Sequence, residues 1–290
     1  MNKYDRRRKY FLVLDCETAT LPHAINYIGE ERKNVAIAKP LIYDLGWQVI
    51  DYQGRVYAKK NFLISEIFSV PAVFDTAYYA EKRPLYLEKL DKGEIMLTDW
   101  RTAVRELIED MDACEAVGAY NSMFDFKKAI PFTELYINQL YSPDFHKWLD
   151  FQNSRVDAIA TGKKFENPYG FDETVFRFRG KEYPMFDLWG LSCRHILNCD
   201  EYKEMCLDHE WQTASGKYFK TSAETAFRFF SGDMEFIEAH TAIDDAVIES
   251  MLFADIVKRT KRDFEMGIIF FPFRELGTVE RYREKSGRWY

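Results

Sequence analysis

The stretch FLVLDCETAT, Phe11 to Thr20, decides how the chain is read. Four apolar residues, Phe11 to Leu14, run into two acids separated by one residue, Asp15-Cys16-Glu17. The apolar run, with Tyr10 before it, predicts a buried strand over 10–14. In a strand, residues i and i+2 face the same way, so Asp15 and Glu17 project side by side from its end. Left alone, two such carboxylates repel each other and one is driven to keep its proton. A divalent cation reverses the sign, because Mg²⁺ and Mn²⁺ seek hard oxygen ligands at close range. A D-x-E pair also arises by chance in many chains, so the rest of the sequence has to decide.

Of 290 residues, 47% are hydrophobic, enough for a sizeable core. No apolar run approaches the roughly 20 residues of a membrane span. The basic N-terminus is followed by too short an apolar stretch for a secretory signal, which needs about 7–15 residues. These features predict a soluble, cytoplasmic protein with no membrane partner. Five scattered cysteines argue against a disulfide framework. The net charge is −7, but residues 1–10 carry +4 and residues 281–290 carry +3, leaving an acidic body with basic ends. Such a body suits an enzyme that gathers carboxylates for cations; ordinary solvated charge explains it equally well.

Working outward, Leu41–Ile50 and Arg55–Ile64 read as strands joined by the turn Asp51-Tyr52-Gln53-Gly54, so the first three strands form an antiparallel meander. Residues 21–40 read as a loop or irregular excursion. Thr98–Met111 has helical spacing, with Trp100, Val104, Leu107, Ile108 and Met111 on one face and Thr98 or Asp99 as cap. Cys114–Asn121 reads as a buried strand running into a helix over SMFDFKKAI, and strand–helix alternation of this kind predicts an α/β domain. Residues 141–157 are polar and aromatic. Arg179-Gly180-Lys181 turns a hairpin, DLWGLSCRHILN is helical, and Ser215-Gly216 turns a second hairpin. Thr221-x-x-Glu224 is a capping-box signature. A long helix spans Ile243–Lys258, with Ile243, Val247, Met251, Ala254 and Val257 as its expected core stripe.

Two further segments carry chemistry. In AYNSMFDFKKA a strand delivers Asn121 and Asp125 follows in the next helix, where a simple capping role would account for it. In EFIEAHTAIDDAVIE, His240 precedes the last helix and Asp245 lies in its first turns. Asp244 points elsewhere, since adjacent helix positions lie about 100° apart. Read singly, these are a surface histidine and helix-N-terminal acids.

Together, D-x-E, N-x-x-F-D and H-x-x-x-x-D resemble the three motifs of the DEDDh, or DnaQ-like, 3′–5′ exonucleases. The resemblance covers most of residues 10–258 in motif order, and EFIEAHTAIDDAVIES looks similar to phage-encoded members. It implies an RNase H-like mixed β-sheet flanked by helices, with an enlarged 140–235 region. The exonuclease domain would span residues 1–260, with a basic-aromatic extension over 261–290. It implies two divalent cations, Mg²⁺ or Mn²⁺: Asp15 bridges both, Glu17 and Asp245 help hold the first, and Asp125 supports the second. His240 is then the general base. Thr18, Ala19, Thr20 and Leu21 replace a Thr-Thr-Gly-Leu loop that contacts the terminal nucleotide, and Asn121 and Phe124 join them as expected substrate contacts. The glycine of that loop is missing here.

The implied partner is single-stranded DNA, or RNA as the alternative, with a polymerase or replication partner left open. A catalytically silent binding module is the rival from another class. In FRFRGKEY, Arg177, Arg179 and Lys181 alternate with aromatics and offer a basic hairpin face, for nucleic acid or for solvent. The C-terminal RYREKSGRWY has the same two readings. Cys193, His195, Cys199, Cys206 and His209 offer zinc-type ligands without a C-x₂-C spacing, and free cysteines in an apolar helix also act as small hydrophobes.

Overall fold

The structure, a computed structural model, describes residues 8–140 and 174–287. The polar-aromatic stretch expected over 141–157 lies outside the described residues.

The described chain is α/β, built on a seven-stranded mixed sheet ordered β4-β3-β2-β1-β5-β7-β6. Its strands are β1 (Tyr10–Ala19), β2 (Leu41–Asp51), β3 (Val56–Ile64), β4 (Met96–Thr98), β5 (Ala116–Ala119), β6 (Val175–Phe178) and β7 (Lys181–Asp187). The meander forms as the sequence predicts: β1 pairs antiparallel with β2, and β2 with β3. β5 then joins β1 in parallel, and β7 joins β5 in parallel.

Among the described residues, eight longer helices accompany the sheet: α1 (Glu30–Ala38), α2 (Arg83–Asp91), α3 (Trp100–Met111), α4 (Ile130–Leu140), α5 (Asp200–Asp208), α6 (Ala223–Ser231), α7 (Ala242–Arg259) and α8 (Val279–Ser286). Strand alternation divides the core between the two sheet faces. Leu12, Leu14 and Cys16 face a core shared with Trp100, Val104 and Leu107 of α3 and Ile130 of α4. Phe11 and Val13 face a second core with Leu252, Phe253 and Ile256 of α7. Asp15 and Glu17 continue the Phe11–Val13 side and so point toward α7.

Several expectations need correction. The excursion over 21–40 contains a 3₁₀ turn (Pro22–Asn26) and the helix α1. Of α1, Val35 alone is classed as buried among the residues whose side chains are described, so there was no apolar stripe to read. The cap of α6 is Ser222, whose hydroxyl accepts from Thr225 N–H, and not Thr221, whose hydroxyl accepts from Trp189 Nε1. The stripe of α7 is wider than expected and partly displaced: Ile243 and Val257 are buried as expected, but Met251 is 45% exposed, and Leu252, Phe253 and Ile256 are buried as well. A helix covered on more than one side loses the single-stripe signature. Of the extension over 261–290, Leu276, Val279 and Tyr282 join the α7 core and Tyr282 meets the Phe219 ring edge-on, in line with the packing reading, while residues 288–290 of RYREKSGRWY lie outside the described residues.

Among the described residues, no helix is long and apolar enough to cross a membrane.

Candidate metal and catalytic centre

The carboxylate end of β1 is irregular by construction. Asp15 lies opposite Gly46 of β2 and Glu17 opposite Asp44, and the register shifts between Glu17 and Thr18. Such bulges re-aim side chains beside functional sites. Gly46 lets α7 approach: a Cβ there would lie 2.5 Å from Ile243 N and 2.6 Å from Ala242 C. Asp44, fully buried, accepts from Ala242 N–H (2.9 Å) and from Asn61 Nδ2 (2.5 Å), fastening the start of α7 to the meander. Glycine and aspartate in β2 thus bring the third motif onto the first.

The two adjacent acids of α7 part ways as the helix wheel requires. Asp244 is bound by Lys89 Nζ (2.6 Å) and Thr241 Oγ1 (2.7 Å). Burial opposes ionisation there, but these hydrogen bonds hold Asp244 below the usual carboxylate range. Asp245 is 5% exposed, and its buried Oδ1 has no hydrogen-bond partner. Ligand atoms of Glu17, His240 and Asp245 lie within 4.8 Å of one another.

The second motif enters from β5. Asn121 caps the turn Ser122–Phe124, its Oδ1 accepting from Phe124 N–H. The chain then widens into a π-helical turn, Asp125–Ala129, before α4. π turns inside helices recur at functional sites, and this one starts at the candidate ligand. Asp125 is buried, and its Oδ1 accepts from the Cys16 thiol at 3.0 Å. Asp15 and Asp125 stand outside the 4.8 Å trio. They are still tied to it by charge: Asp15 feels Glu249, Asp245, Asp125 and Glu17, in that order.

The electrostatics are those of acids forced together. Burial, then repulsion from Glu249, raises Asp15 well above the ordinary carboxylate range. Burial, then Asp245, does the same to Glu17. Burial pushes Asp125 up to about 7, and burial with Glu238 pushes Asp245 up to about 8. A cation among them would reverse this penalty. The donor set of carboxylate oxygens, with one buried oxygen left without a partner, fits hard divalent ions such as Mg²⁺ or Mn²⁺.

His240 sits in the left-handed region (φ 50°), which few residues other than glycine adopt. Its ring stacks on Tyr79, with centroids 4.3 Å apart and planes 16° apart. Nδ1 lies 3.6 Å from Glu238 Oε2. Lys82 donates to Ala239 O and lies over the Tyr79 ring. Burial, then the Lys82 charge, lowers the imidazole pKa, which favours the neutral ring that can accept a proton.

The expected substrate contacts differ in access. Thr18 and Phe124 are half-buried and Asn121 is exposed. Ala19, Thr20 and Leu21 are buried, and Thr20 is engaged with Thr76 and the Lys39 carbonyl. The basic hairpin residues are ion-paired: Arg177 with Glu182, Arg179 with Glu134, Lys181 with Asp112. The zinc-type residues are not gathered: among the described residues the groups close enough to share an ion are Glu17–His240–Asp245 and Glu224–Glu238–His240. Cys193 and Cys206 are buried in the apolar core, and His195 pairs with Glu265.

Sequence reading missed Asp44, Gly46, Tyr79, Lys82, Asp187, Glu238 and Glu249. Two of them left a local trace: Glu249 falls four residues after Asp245 on the same helix face, and Asp44 stands as an acid inside an apolar run. Asp187 is buried and accepts from Ser122 N–H and Gly190 N–H, both at 3.2 Å, locking β7 to the turn that carries Asp125.

Compared with protein-family models and with curated proteins, the chain finds no match.

Proposed function

We propose that this protein is a metal-dependent 3′–5′ exonuclease of the DEDDh kind on an RNase H-like fold. Its substrate would be single-stranded nucleic acid, DNA first and RNA second, and its products nucleoside monophosphates. The observation that carries the reading is the meeting of Glu17, His240 and Asp245 within 4.8 Å, with Asp15 and Asp125 adjoining. Three sequence segments far apart in the chain supply them, and the fold has taken on a costly like-charge cluster to do so.

In this reading Asp15, Glu17, Asp125 and Asp245 hold two divalent cations. When bound, such a pair stabilises the attacking and leaving oxygens of a phosphodiester displacement. The protein does the rest. His240, neutral at working pH, accepts a proton from the attacking water. Tyr79 fixes its ring by stacking. The rigid end of β1 and the anchored start of α7 keep the acids from relaxing apart. The segment Thr18–Leu21, whose first two residues close β1, lies beside the acids with Asn121 and Phe124 and would receive the terminal nucleotide. Its buried members, Ala19, Thr20 and Leu21, would shape that segment from beneath.

The deciding assay uses 5′-labelled DNA and RNA oligomers of matched sequence with Mg²⁺, Mn²⁺ or EDTA, beside Asp15→Ala. A metal-dependent ladder shortening from the 3′ end, absent in the variant, is expected. Binding without cleavage in either metal would instead favour a silent nucleic-acid-binding module.

A further inference from the structure

Buried acids in this protein fall into two groups by what satisfies them. Asp44 accepts from Ala242 N–H and Asn61 Nδ2. Asp187 accepts from two backbone N–H groups. Asp110 accepts from Trp47 Nε1 and pairs with Lys60 at 2.7 Å. Each is a fastening whose oxygens are met by donors or a cation, although burial still pushes Asp44 up to about 6 and Asp187 up to about 7.

Glu249 does not belong with them. It is 2% exposed and accepts a hydrogen bond from Tyr120 N–H at 3.2 Å. The charges it faces are Asp125, Asp245 and Glu238, all acidic. In turn it is the charged neighbour that Asp15 feels most, ahead of Asp245, Asp125 and Glu17. It lies one helical turn beyond Asp245, so both carboxylates leave the same face of α7. A glutamine would accept the Tyr120 N–H equally well without adding charge to a site already crowded with it. Burying a carboxylate against like charges is costly unless a cation compensates it.

Resting on the two-cation reading above, we propose that Glu249 is a further carboxylate of the metal centre. It acts on the side of Asp15 and Asp125, where the motif residues provide fewer donors than the Glu17–His240–Asp245 trio does. Its Tyr120 hydrogen bond holds one oxygen and aims the carboxylate, as outer partners of metal ligands do. The helix that delivers Asp245 thus delivers two acids to the centre, one per turn.

The test is Mn²⁺ binding by calorimetry and electron paramagnetic resonance on the full chain, comparing wild type, Glu249→Gln and Asp15→Asn. Wild type is expected to bind and Asp15→Asn to lose binding. Glu249→Gln is expected to weaken one Mn²⁺ site by about 10–100-fold. It should also melt at a higher temperature than wild type in EDTA, because a repelling charge is gone. If wild type fails to bind Mn²⁺, the two-cation reading itself falls. If Asp15→Asn loses binding while Glu249→Gln binds like wild type, only the role of Glu249 falls. A second measurement needs no variant. In ¹⁵N-labelled wild type titrated with Mg²⁺, the Tyr120 amide should shift with the same dissociation constant as metal binding. An unmoved Tyr120 amide would overturn the proposal.

Discussion

Neighbouring acids at the start of α7 should respond to substitution with opposite signs. Asp245 is 5% exposed with a buried oxygen lacking a partner, and its carboxyl is pushed up to about 8. Relative to an ordinary value near 3.9, ionising it in the metal-free fold costs about 5 kcal/mol. Asparagine removes that cost but buries an imperfectly paired amide, which returns about 1–3 kcal/mol. The net is a gain of about 2–4 kcal/mol at pH 8 in EDTA, a rise in melting temperature of roughly 4–16 °C. Asp244 is the reverse case, tied to Lys89 and Thr241 at 2.6 and 2.7 Å. Its replacement by alanine loses a helix-start hydrogen bond and a partly exposed ion pair, together about 1 kcal/mol. The assay is thermal denaturation in EDTA, paired with oligonucleotide cleavage in Mg²⁺. Asp245→Asn should be stabler and inactive, and Asp244→Ala less stable and active. If Asp245→Asn melts lower than wild type, or still cleaves, both the charge argument and the assignment of the third motif are wrong.

Other outcomes follow from the same geometry. His240→Ala should slow single-turnover cleavage by about 10²–10⁴-fold while oligonucleotide affinity, read by filter binding, changes far less. In EDTA the protein should lose stability as pH rises from about 4 to 8. Asp125 and Asp245 hold their protons up to about 7 and 8, so the native state binds more protons than the unfolded chain across that window. Denaturant titrations across the window should show this slope, and saturating Mg²⁺ should flatten it. Gly46→Ala places a Cβ 2.5 Å from the Ile243 backbone nitrogen, which cannot swing aside as a side chain could. It should cost about 1–3 kcal/mol and weaken Mn²⁺ binding, because the displaced segment carries His240 and Asp245; chemical denaturation and calorimetry check both.

What the sequence could reveal depended on whether a signal was local. The i, i+2 spacing of Asp15 and Glu17 is a property of one strand, and the H-x₄-D spacing is a property of one helix start. Both were readable, as was the meander, whose turn and apolar runs are contiguous. The features that make these residues a site are not local. Gly46 reads as an ordinary glycine in a strand until α7 is packed against it. Asp44 reads as an acid inside an apolar run, a conflict the sequence shows but cannot resolve without Ala242 N–H. Tyr79 lies in a stretch with no periodicity, and nothing near it points to a histidine 161 positions later. The helix α1 was missed because a helix with little buried surface has no stripe, and the α7 stripe was misread because that helix is covered on several sides.

The division among buried acids explains how one fold can be both firm and poised. A carboxylate with two N–H donors is a fastening: Asp44 ties α7 to β2, and Asp187 ties β7 to the turn before Asp125. Removing such an acid together with both its acceptor oxygens leaves donors unsatisfied, so Asp187→Ala should lower the melting temperature in EDTA and in Mg²⁺ alike. A carboxylate without such donors is stable only with a cation nearby, so its removal should raise the metal-free melting temperature and erase the gain from Mg²⁺. The fastenings supply the rigidity that keeps the repelling acids together. Without them, β1 and α7 could move apart, which would ease the repulsion and weaken the affinity for a cation. The strain at the centre is therefore maintained by acids of the same chemical type placed one layer further out.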